Sequence, residues 1–96
     1  MAKGYWIGHV TITDPSGYPE YVAANAEAFA KYGGRFVVRG GKAEVVEGTS
    51  RDRHVVIEFP SYQQAIDCYR SPEYERALAL RQKYAVADLI IVEGID

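Results

Sequence analysis

The stretch HVVIEFPSYQQAIDCYRSPEY, His54 to Tyr74, decides the fold of this chain. Val55, Ile57 and Phe59 fall on one purely apolar face and His54, Val56 and Glu58 on the other, the period-two pattern of a strand with one side buried. Pro60 has no N–H to give a ladder and ends the strand. Ser61 then caps a helix, with Gln64 three residues on to complete a capping box, and Tyr62, Ala65, Ile66 and Tyr69 form its inward stripe. Ser71-Pro72-Glu73 repeats the start signal, opening a second helical segment to about Tyr84 with Tyr74, Ala77, Leu78 and Arg81 on a common side.

Working outward, Tyr5 to Thr13 reads as a strand, Trp6, Gly8, Val10 and Ile12 on its more apolar face and Tyr5, Ile7, His9 and Thr11 on the other. Asp14-Pro15 matches a helix start, which Gly17 and Pro19 delay to about Tyr18. The helix then carries Tyr18, Val22, Ala26 and Phe29 inward and ends at Gly33-Gly34. Arg35 to Gly40 is a second strand, with Phe36 and Val38 opposite Val37 and Arg39. Gly40-Gly41 permits a bulge before Ala43 to Glu47 continues it, and Gly48 to Arg53 makes the turn. Val86 or Asp88 to Glu93 is the last strand. Strand, helix, strand, strand, helix, strand is the ferredoxin-like α+β order: one domain over residues 1–96, its antiparallel sheet covered by helices on one face and its first and third strands central neighbours.

A chain of 96 residues with 25% charged and 48% hydrophobic side chains has the composition of one globular domain. Its net charge of −2 offers no attraction to nucleic acid or anionic lipid. No run reaches the roughly 20 apolar residues of a membrane span, and the opening residues show no apolar leader, so a cytoplasmic protein is expected. The single cysteine, Cys68, cannot make an internal disulfide and reads as a small buried helix residue. Two histidines 45 positions apart and one cysteine give no metal-binding spacing, so neither metal nor cofactor is expected.

The sheet face away from the helices is not simply polar. Tyr5, Ile7, Val37 and Val56 accompany His9, Arg39 and Glu58 there, a patch that predicts a homodimer formed sheet to sheet. His9, Arg39 and Glu58 form one candidate site: histidine to move a proton, glutamate to orient it or act as base, arginine to grip a carboxylate or enolate. The bland reading is an interface with an ion pair. The second candidate is a helix–sheet pocket lined by Trp6, Tyr69, Tyr74 and Arg81, an arginine that otherwise snorkels to water. His54, beside Arg53 at a strand edge, reads as a surface residue.

Trp6, the run Lys31-Tyr-Gly-Gly-Arg-Phe36, Arg39-Gly-Gly41, Val55-Val-Ile-Glu-Phe-Pro-Ser61, Tyr69-Arg-Ser-Pro-Glu-Tyr74 and the ending Val92-Glu-Gly94 together resemble the bacterial family known as domain of unknown function 1330. The resemblance covers almost the whole chain and implies a dimeric α/β barrel, whose relatives include cofactor-free monooxygenases, muconolactone-type isomerases and dehalogenating or lyase-like enzymes. Two functions follow as expectations. One is a cofactor-independent enzyme on a small organic acid or aromatic, with His9 as proton carrier and Arg39 or Arg81 as anion anchor. The other is a non-catalytic ligand-binding or structural homodimer. The absence of a cavity of roughly 300 Å³ or more favours the second.

Overall fold

The computed structural model describes residues 2–96, so Met1, the start of the expected strand approach, lies outside the described residues. The elements are β1 (Gly4–Ile12), α1 (Tyr18–Tyr32), β2 (Arg35–Arg39), β3 (Arg53–Phe59), α2 (Tyr62–Tyr69), α3 (Pro72–Tyr84) and β4 (Ala85–Glu93). They build one four-stranded antiparallel sheet in the order β2-β3-β1-β4, with β1 and β3 in the centre as expected. The three helices pack on the side of Trp6, Val10, Ile57 and Phe59, all buried, and the other face is left open.

The local signals act largely as the residues foretell. Asp14 makes a turn ahead of α1, its carboxylate accepting from the Ser16 N–H and hydroxyl and from the Gly17 N–H, and the helix starts at Tyr18. Gly33, at φ 77°, takes the left-handed conformation that closes α1. Ser61 and Ser71 cap α2 and α3, accepting from the backbone N–H of Gln64 and Tyr74 at 3.1 Å each.

Five expectations need correction. The buried residues of α1 are Tyr18, Tyr21, Asn25, Ala28 and Phe29, while Ala26 is exposed: burying the tyrosine gains far more apolar area than burying the alanine, and the helix rolls accordingly. Tyr62 is exposed, and the buried residues of α2 are Ala65 and Cys68. The Gln64 side chain reaches the Ser61 hydroxyl, accepting from it at 3.5 Å, rather than the cap's backbone N–H, and its amide N–H donates to the Tyr32 carbonyl at the end of α1, joining the two helices. Residues Ala43 to Glu47 form no strand: β2 ends at Arg39, and Val45 and Val46 are exposed in irregular chain. Finally, β2 is bulged at Val37. Phe36 pairs with Ile57 but Val38 pairs with Val56, so the extra residue reverses the alternation and turns Arg39, opposite Val55, to the helix side.

Trp6 is the hub of the core. It is 1% exposed, meets Phe29 and Tyr74 edge to face at ring separations of 5.2 and 4.8 Å, and donates its indole N–H to the Ala65 carbonyl at 2.9 Å. Cys68 is buried beside it in α2, and desolvation pushes its thiol up to about 12, which suits a packing residue and not a nucleophile.

Candidate functional site

The bulge and the tyrosines of α1 together make a cleft between helices and sheet. Its lining includes Trp6, Phe29 and Phe36, the tyrosines Tyr18, Tyr21 and Tyr74, and Arg39, Arg53 and Arg81. The floor is β1, and Gly8 lies on it where an ordinary strand residue would project a side chain among Val55 and Leu89. A glycine at the centre of an interior strand costs sheet stability, and here it leaves open space. The cleft measures about 500 Å³ between its wall atoms, mouth included, but the centre of a water molecule can reach only about 30 Å³ of it, room for two waters. Its enclosed part is far smaller than the roughly 300 Å³ of a small-molecule pocket, so by that measure the empty cleft favours a non-catalytic homodimer, and a ligand enters only by displacing side chains.

The electrostatics of this cleft are one-sided. No aspartate or glutamate lines it, and among the described residues none of its three arginines joins an ion pair. Five other cations, Lys3, Lys31, Arg35, Arg51 and Arg76, do pair with carboxylates among the described residues. Arg39 lies over the Phe36 ring at 4.2 Å and Arg53 over Tyr18 at 5.9 Å. The Arg53 Nε is buried with no acceptor. Gly40, just past the end of β2, packs against that guanidinium so closely that a side chain there would collide with it. On the helix wall the Tyr21 and Tyr74 hydroxyls bond each other at 2.9 Å. Burial pushes both hydroxyls above the ordinary tyrosine range, with the Arg81 charge pulling the other way.

Of the residues expected in a helix–sheet pocket, Trp6, Tyr74 and Arg81 line the cleft; Tyr69 instead packs edge-on against Trp6 behind the wall. Arg39 lines it too, having left the open face for the reason given above. The residues that sequence reasoning missed are Tyr21, Asn25 and Arg53. An arginine one position before an alternating strand, and an asparagine in the middle of an amphipathic helix, were the available signals.

The other candidate group does not converge. His9 and Glu58 share the open sheet face, but Glu58 lies four residues along β3 from the residue opposite His9, about 13 Å at the rise of a strand. Glu58 is held by Lys3 at 3.2 Å and Arg35 at 3.1 Å, which keep its carboxyl below the usual range against the opposing pull of desolvation. His9 bonds His54 through their Nδ1 atoms at 2.8 Å, so His54 is a partner and not a free surface residue. One ring must donate and the other accept.

Between these polar rows runs an apolar one: Ile90, Ile7, Val56 and Val38 stand side by side across all four strands. Ile90 is 58% exposed and Val38 42%. No helix is long and apolar enough to cross a membrane among the described residues.

Residues 3–95 match the family described as Domain of unknown function (DUF1330). No curated protein matches. Among solved structures, a protein of unknown function from Rhodopseudomonas palustris, RPA0582, is similar at TM-score 0.76 and 22% identity, over 99% of this chain and 84% of that one. SnoaB of Streptomyces nogalater, a cofactor-independent oxygenase, is similar at TM-score 0.66 and 13% identity, over 100% and 96%. A dimeric ferredoxin-like protein of unknown function from Thermobifida fusca is similar at TM-score 0.52 and 16% identity, over 98% and 92%. At these identities the three likenesses speak for the fold, which they share with the sheet and helices described above. The match that spans nearly every residue goes further, and by it the chain belongs to the DUF1330 family.

Proposed function

We propose that the cleft binds a small aromatic acid and that this is the chain's function. The observation that carries the reading is the set of three guanidinium groups, Arg39, Arg53 and Arg81, facing one aromatic-walled space with no carboxylate to balance them. Like charges gathered in a partly desolvated site repel, and a ligand anion offsets that cost while supplying the acceptor the Arg53 Nε lacks. The aromatic walls favour a flat apolar body behind the anion. Thermal-shift titrations with benzoate and with uncharged benzamide test this. Benzoate should raise Tm in a saturable way and benzamide should not; equal shifts, or none, would sink the reading.

A second reading, a cofactor-independent enzyme on the same class of molecule, is favoured by the fold shared with SnoaB and by the cations themselves, which would stabilise an enolate or phenolate formed from the bound acid. The cleft offers no histidine, aspartate or glutamate to take a proton, so this chemistry would draw on the acidity of the substrate. His9 and Glu58, on the far side of the sheet, would serve such a reaction only from within an assembly that encloses that face.

The assembly we propose is a homodimer through the open sheet face; a dimeric ferredoxin-like protein from Thermobifida fusca shares the fold. The row from Ile90 to Val38 is the apolar core of that interface, with the Glu58 ion pairs on one flank and the His9–His54 pair on the other. Ile90→Lys should leave the fold intact, because the side chain is 58% exposed within the protomer, and should convert the dimer to monomer in light scattering. A wild-type monomer at micromolar concentration would refute the interface.

A further inference from the structure

Hydrogen-bond counting on the helix wall says more about the ligand than its charge. Asn25, Tyr21 and Tyr74 are each at most 8% exposed and all line the cleft. The Tyr21 and Tyr74 hydroxyls bond each other at 2.9 Å, and Asn25 belongs to the same lining. The two hydroxyls carry one O–H donor each, and the bond between them employs one of the two. One hydroxyl donor remains on a buried wall, where an unmade hydrogen bond is costly. The guanidiniums of Arg39 and Arg53 come from the strand side, where Phe36 of the lining lies beside Arg39.

From this we infer that the cleft takes an aromatic carboxylate bearing a second oxygen function, a hydroxyl or ketone, on its ring. The carboxylate lies against Arg53 and Arg39, and the ring oxygen accepts from the Tyr21–Tyr74 hydroxyl pair, with Arg81 in the same lining. The inference rests on the aromatic-acid reading of the site and adds the second recognition point. Arg81 has a defined part in it: a cation near the ring oxygen favours the ionised phenol or the enolate of the ketone, whereas the raised tyrosines stay protonated and remain donors.

Isothermal titration with benzoate and with 3- and 4-hydroxybenzoate tests it on the unmodified protein and on Tyr21→Phe and Tyr74→Phe. The better hydroxybenzoate should bind about tenfold more tightly than benzoate to the native protein, and the gap should close to within about twofold in the phenylalanine variants. Hydroxybenzoates that bind no better than benzoate would overturn the second recognition point and leave the aromatic-acid site standing. So would a preference that survives both substitutions, since the ring oxygen would then be bound elsewhere. Failure of all three acids to bind would overturn the aromatic-acid reading itself. The native ligand series is decisive even if a variant misfolds.

Discussion

Trp6→Ala is expected to destabilise the domain by about 3–5 kcal/mol, the largest loss any single substitution should produce. The indole is 1% exposed and its ring meets Phe29, Phe59, Tyr69 and Tyr74 at separations from 4.8 to 5.7 Å, so few neighbours can move into the space it leaves. Its removal also strips the donor from the Ala65 carbonyl inside the core. A domain of this size has about 5–15 kcal/mol in total, so the variant should show a greatly lowered urea midpoint and an early thermal transition. Trp6→Phe, which keeps a ring but not the N–H, should fall between. A loss below about 1 kcal/mol for the alanine variant would mean the core is not centred on this residue.

Arg53→Met should act in the opposite sense on stability and strongly on binding. Its guanidinium has a buried Nε without acceptor and stands with two other uncompensated arginines, so the apolar replacement relieves repulsion and an unmade hydrogen bond. The unliganded variant should melt at the same temperature or slightly higher. Its affinity for benzoate should fall about 10- to 100-fold, the worth of a charge-assisted hydrogen bond in a partly dry site. Arg35→Met is the natural control: Arg35 is exposed and pairs with Glu58 on the other side of the sheet, and its loss should leave benzoate binding unchanged. If Arg53→Met bound benzoate as well as the native protein, the cationic cleft would have no role in anion recognition. A residue that weakens the empty protein and strengthens the filled one is the usual signature of a binding site.

Much of the frame was legible because it rests on short-range chemistry. Ser61 and Ser71 announce their helices by offering a side-chain acceptor to a backbone N–H three residues on, and the alternation of β1 and β3 assigns each residue to the correct face. What the sequence withheld depends on non-local geometry. Nothing in Phe36-Val37-Val38-Arg39 marks Val37 as the extra residue, since all four suit a strand; the bulge arises from pairing with β3, and it alone moves Arg39 from the open sheet face to the cleft. His54 could not be matched to His9 without the register of β1 against β3. Asn25 reads as a polar interruption of a helix until the fold buries it in the cleft lining with Tyr21 and Tyr74, whose hydroxyls meet there.

The most direct test of the aromatic-acid site is a benzoate titration of isotope-labelled protein, followed through the arginine side-chain Nε–H resonances. The Arg53 Nε–H, without a partner in the empty cleft, should move downfield and saturate as it gains the carboxylate, with smaller changes at Arg39 and Arg81 and none at Arg35. Saturable shifts at Arg35 and the His9–His54 pair, with Arg53 unmoved, would place the ligand on the sheet face and contradict the assignment.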